Sequence, residues 1–151
     1  MAGPSDAPKR DLHALACITE AISRFDVVAI QEVKRDVAAL RRTLDLLGRD
    51  WRAIVSDVTE GNAERLAVVY NETRVQPSGL VGEIVLPIKP ASVEKQFART
   101  PYVASFKAGN TEFVLVSLHV LWGTEPASRL AEITNIAQWM RAWADRPGDS
   151  R

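Results

Sequence analysis

Glu32, Glu64, Arg99 and His119 are of residue types that handle phosphate. A carboxylate holds Mg²⁺ through oxygen, and such a metal neutralises charge on a phosphoryl oxygen and orients water. Arginine offers phosphate a planar fork of donors. Histidine supplies a hydrogen bond or a proton, with its ring position set by a neighbouring acid. The four are scattered along the chain, so any joint chemistry depends on the fold. Glu32 shows the problem in miniature. It ends the run FDVVAIQE (25–32), where a nearly unbroken apolar stretch stops on a glutamine and a carboxylate.

The elements that must position these residues are legible as patterns. Leu12, Leu15, Ile18 and Ile22 recur at helical spacing from Asp11. FDVVAI (25–30) is apolar on both faces, which predicts a strand inside a covered sheet. Val37, Leu40, Leu44 and Leu47 predict a second helix over 35–47, with Gly48 as its C-terminal cap. WRAIVS (51–56) and RLAVVY (65–70) predict strands on either side of the polar loop DVTEGNA, and the turn-like NETR follows. LVGEIVL (80–86) is a weaker strand candidate, broken off by Pro87 and Pro90. TPYVASFK and TEFVLVSLH predict a hairpin about Ala-Gly-Asn. Pro126 opens a last helix with Leu130, Ile133, Ala137 and Met140 on one face, ending near Arg146. Trp139 and Trp143, four apart, suit packing; Trp122 suits either lining a substrate groove or covering the core, and the second is expected. His13 receives no role.

This order predicts an α/β (α+β layered) domain with a mixed β-sheet flanked by helices. The domain is expected over 11–146, with a polar lead-in over 1–10 and a tail over 147–151. Strand 25–30, helix 35–47 and strand 51–56 form a strand-helix-strand unit, whose two strands run parallel if they share a sheet. Glu32 then lies at the carboxyl edge, where ligands bind in such sheets. An antiparallel strand 65–70 returns to that edge carrying Glu64 and Arg65. In the hairpin, Arg99 precedes the first strand and His119 ends the second, so these two also share an edge. If both edges coincide, one rim carries two acids, an imidazole and a guanidinium.

Composition narrows the class. At 151 residues the chain suits one domain. Lys+Arg and Asp+Glu are both 19, and this balance argues against holding nucleic acid by bulk charge, though not against a local basic site. Cys17 is the one cysteine, which excludes an intrachain disulfide and a cysteine zinc cluster, and suits a reducing compartment. No apolar run spans a membrane, and MAGPSDAPKRD lacks the apolar core of a signal peptide. A cytoplasmic location and no membrane partner are expected.

Four segments, FDVVAIQEV, AERLAVVYNETRV, ARTPYVASF and FVLVSLHVLWG, resemble in order the endonuclease/exonuclease/phosphatase family, over about residues 12 to 146. Pancreatic deoxyribonuclease and exonuclease-III-type repair nucleases belong to that family. The resemblance implies half of a deoxyribonuclease-like four-layer sandwich. It implies a Mg²⁺- or Mn²⁺-dependent phosphoesterase or nuclease cutting phosphodiester bonds, with DNA the first candidate. RNA, phosphoinositides and small phosphoesters stay open. It implies Glu32 as metal ligand, Glu64 as the acid orienting a catalytic histidine, and His119 on the scissile phosphate or leaving group. Arg99 and Lys34 resemble the family's phosphate and backbone contacts.

The family's opening Trp-Asn strand and its later Gly-Asp-Phe-Asn-like and Ser-Asp-His-like segments have no counterpart. The resemblance is therefore to the N-terminal half without its first strand, and little activity is expected of this chain alone. The alternative is a non-catalytic or split-partner fragment acting as an interaction module. Its open sheet edges would meet a complementing chain or a second copy.

Overall fold

The computed structural model describes residues 11–58, 63–87 and 96–146. The expected lead-in and tail, the middle of the loop after residue 58 and the segment containing Pro90 lie outside these.

The first helix, α1 (Leu12–Ile22), starts where the Asp11 carboxylate accepts the Ala14 N–H at 2.7 Å. That satisfies one of the donors every helix start leaves open. Leu15 and Ile22 are buried, as their spacing predicts. After β1 (Val27–Lys34), the second helix, α2 (Ala38–Leu47), starts three residues later than the pattern suggests. Val37, just before it, sits at φ 48, outside the right-handed region a helix requires. The helix ends at Gly48 (φ 98), whose N–H donates to the Leu44 carbonyl. The left-handed φ there suits glycine.

β2 (Trp51–Val55) and β1 both pair antiparallel with β3 (Glu64–Asn71), giving the order β1-β3-β2. β1 and β2 are thus parallel to each other, as expected of the strand-helix-strand unit, but β3 lies between them. The second sheet contains β4 (Gln76–Glu83), β5 (Tyr102–Ala108) and β6 (Thr111–Ser117), in the order β4-β5-β6, again wholly antiparallel. In place of one mixed sheet, the described strands form two antiparallel ones. β4 begins four residues before LVGEIVL and contains Pro77, which an edge strand tolerates because its outer side needs no donor. The β5–β6 hairpin turns at Gly109 (φ 57), a position reserved for glycine in tight hairpins.

Alternation along the central strands builds the layers. Leu66, Val68 and Tyr70 of β3 face Tyr102, Ala104 and Phe106 of β5 across a core between the sheets. Tyr70 meets Phe106 edge-on at 5.3 Å. Burial, helped by Glu72 and offset by Arg52, pushes the Tyr70 phenol up from 10.0; burial, then Glu83, does the same for Tyr102. On the other face of β3, Ala67 and Val69 pack with Ile22, Leu40 and Trp51. On the other face of the second sheet, Val103 packs with Ile84, Phe97 and Ile136, and Trp139 and Trp143 join them. The result is a four-layer stack: α1 with α2, first sheet, second sheet, α3. β3 and β5 are buried on both sides, which explains their unbroken apolar runs. FDVVAI has the same composition but lies at an edge of the described sheet, with Ala29 exposed.

The last helix follows a 3₁₀ turn (Pro126–Arg129) and runs as α3 (Leu130–Ala144). Its buried face is not the expected one. Leu130, Ile133, Ala137 and Met140 are exposed, while Ile136, Trp139 and Trp143 face the sheet. The helix carries two apolar stripes, and the one with two indoles removes more area from water.

Candidate functional site

Glu32 does not follow the end of a strand; it sits inside β1, which runs on to Lys34. Ile30 pairs with Ala67 and Val33 with Arg65, so Gln31 and Glu32 together oppose the single residue Leu66. This two-against-one count is a β-bulge, a device that re-aims a side chain. Glu32 takes φ 58, a left-handed conformation uncommon for a non-glycine residue. Past the bulge, Lys34 pairs with Glu64 at the start of β3.

From the second sheet, Arg99 lies three residues before β5 and His119 two residues after β6. The two edges do coincide. His119 Nε2 is 3.7 Å from Glu32 Oε1, and His119 Nδ1 is 4.0 Å from Glu64 Oε2. Arg99 Nε lies 3.5 Å and Lys34 Nζ 3.9 Å from the Glu64 carboxylate. All five residues singled out from the sequence therefore share one rim. Its floor is the sheltered trio Glu64, Arg99 and His119, with side chains 15–20% exposed. Glu32 and Lys34, each 65% exposed, stand at the lip.

The separations carry chemical meaning. At 3.7 and 4.0 Å the histidine hydrogen-bonds neither acid directly. Buried Arg99 Nε and His119 Nδ1, and the Ser117 hydroxyl nearby, have no hydrogen-bond partner among the described residues. Buried polar atoms are nearly always paired; Arg99 Nε is offset by its ion pair with Glu64, and His119 Nδ1 is left with hydrogen-bonding capacity to spare. Glu64 lies between the Arg99 guanidinium, the Lys34 ammonium and the His119 imidazole.

Sequence reasoning missed the residues that hold this rim together. The Gln31 amide donates to the Leu118 carbonyl at 2.6 Å, tying the bulge to the segment carrying His119. Glu132, in the first turn of α3, accepts the Ala98 N–H with one oxygen and the Leu121 N–H with the other, both at 2.7 Å. It clamps the approach to Arg99 and the exit from His119. Gln31 stood in plain view beside Glu32. Glu132 had no signal, because both its partners are distant in sequence. Trp122 does not cover the core; it is 76% exposed, three residues beyond His119.

No protein-family model and no curated protein matches the sequence. Solved structures do match in fold. A protein of unknown function from Enterococcus faecalis V583 is 23% identical with a TM-score of 0.60, over 84% of this chain and 52% of that one. ANGEL2, a 2′,3′-cyclic phosphatase solved with adenosine-2′,3′-vanadate, is 17% identical with a TM-score of 0.63, over 88% and 39%. TDP2 from D. rerio, solved with a single-strand DNA product, is 13% identical with a TM-score of 0.59, over 89% and 48%. ANGEL2 and TDP2 are members of the endonuclease/exonuclease/phosphatase superfamily. Over the described residues, this chain has their deoxyribonuclease-I-like fold. It spans about half the length of these structures, or less.

The described residues include no group of three or more His, Cys, Asp or Glu side chains arranged to hold a metal. Glu32 is a single exposed carboxylate at the lip, the ligand type that Mg²⁺ takes beside waters and substrate phosphate. No described helix is long and apolar enough to cross a membrane.

Proposed function

We propose that this rim binds and hydrolyses phosphodiesters, with DNA the first candidate substrate. One observation carries the reading. Glu32 and His119 belong to different sheets and lie 87 positions apart, yet meet at 3.7 Å beside Glu64 and Arg99. The fold shared with a cyclic phosphatase and with TDP2 supports it.

Each side chain has a part. Arg99 binds a non-bridging phosphoryl oxygen and stabilises the charge that grows there during attack. His119 Nε2 faces the ester, donating a hydrogen bond to phosphate or a proton to the departing oxygen. Glu64 stands 4.0 Å from the other ring nitrogen, the side from which an acid would orient the ring. Lys34 steadies the adjacent backbone phosphate. Glu32 would hold a divalent ion, Mg²⁺ or Mn²⁺, which would supply neutralisation of phosphoryl charge and positioning of water. In the overall reaction a water oxygen bonds to phosphorus and the P–O ester bond breaks. One water proton is released, and the leaving oxygen takes up a proton.

A second reading is favoured by what surrounds this set. His13, the only other histidine, lies on α1 against Cys17, so no second imidazole among the described residues faces the phosphate. Residues of a concerted site lose most of the rate when any is missing. A domain that binds phosphodiesters with little turnover fits this, and a partner or a second copy would add at an edge strand, β1 or β2 of the first sheet or β4 or β6 of the second.

Hydrolysis of plasmid DNA and of an aryl phosphodiester, with Mg²⁺ and with EDTA, separates the two. Hydrolysis should be slow, Mg²⁺-dependent and lowered about 100-fold by Glu32→Ala or His119→Ala. Binding without turnover would favour the second reading. Turnover indifferent to both substitutions would discard the first.

A further inference from the structure

Trp122 is the most exposed large apolar residue among those described, yet it is not loose. The Arg129 guanidinium lies over its ring, 4.1 Å from the centroid, and Arg129 Nε donates to the Trp122 carbonyl at 2.7 Å. The next residue, Gly123, has φ 65, and a Cβ there would come within 1.8 Å of the Ser128 hydroxyl oxygen. Only glycine fits that turn. Ser128 in turn bonds to the Glu125 carbonyl through both its hydroxyl and its N–H. Just before the tryptophan, the Leu121 N–H is held by Glu132. A large indole is thus fixed from both sides of the chain, with one face against a cation and most of its surface open to solvent.

Its place gives the indole a use. Trp122 is three positions beyond His119, so their Cα atoms are at most about 11 Å apart. The Glu132 carboxylate that fixes Leu121 also fixes Ala98, next to Arg99. We propose that Trp122 is a stacking platform for a nucleobase whose own phosphodiester lies on Arg99 and His119. This rests on the phosphate-binding reading above and narrows its substrate to unpaired nucleotides. A flat ring on a rigid indole gains stacking without ordering cost, and stacking tolerates any base. A base paired within a duplex has both faces occupied, so single-stranded nucleic acid is the ligand. Inositol and sugar phosphates present no such face.

The test is anisotropy of a fluorescently labelled single-stranded oligonucleotide, beside an abasic strand of equal length, with the full chain in Mg²⁺. The parent should bind the base-bearing strand more tightly. Trp122→Ala should weaken that binding roughly tenfold and leave the abasic strand unchanged. Trp122→Phe should retain most of the affinity. Arg99→Ala should weaken both strands alike, which reads the phosphate site separately. If Arg99→Ala changes neither strand, the phosphate reading fails while the platform is still judged by Trp122. Equal parental affinity for the two strands, no parental binding of either, or equal loss of both in Trp122→Ala would overturn the platform.

Discussion

Glu32 pays a conformational cost for its position. A non-glycine residue held at φ 58 is strained by about 1 kcal/mol or more, and such strain persists where surrounding structure imposes it. Here the imposing contacts are the ladder on both sides of the bulge and the Gln31 bond to Leu118. If the strain serves the carboxylate, stability and activity should separate. Glu32→Gly is expected to unfold at the same or higher urea concentration than the parent, while losing hydrolysis as fully as Glu32→Ala. A large drop in the urea midpoint for Glu32→Gly would mean that the carboxylate is structural. At this scale the sequence was informative about residue types and silent about geometry. Glu32, Glu64, Arg99, Lys34 and His119 could be picked out, and strand direction brought them to one rim. The bulge could not be read, because the two-against-one count exists only once β3 is paired.

Elements were legible where burial was two-sided and ambiguous where it was one-sided. β3 and β5 are apolar at nearly every position because both faces are covered, and their runs stood out. α3 was placed correctly but turned the wrong way. Its two stripes compete, and hydropathy alone does not say which faces the sheet. Ile136→Ala, a cut into the packed side, should cost about 2–4 kcal/mol in denaturant unfolding. Ile133→Ala on the exposed stripe should cost under about 1 kcal/mol. Equal losses would mean that the exposed stripe is covered in solution. The order β1-β3-β2 was hidden for a related reason: β2 and β3 were correctly read as antiparallel neighbours, but β1 looked no less apolar than a central strand.

Across the whole molecule, the two sheets each bring half of a site. The first contributes Glu32, Lys34 and Glu64, and the second Arg99 and His119. The Gln31–Leu118 bond joins the halves, and Glu132 holds both flanks of the second in place. The sandwich therefore acts as a jig: packing of Leu66, Val68 and Phe106 between the sheets sets the distance from Glu32 to His119. The most direct measurement is a crystal soaked with Mn²⁺ and a non-hydrolysable phosphodiester, read by anomalous scattering. The account predicts one Mn²⁺ on the Glu32 carboxylate, with the phosphate reaching Arg99 and His119. Manganese bound elsewhere, or phosphate away from both Arg99 and His119, would contradict it.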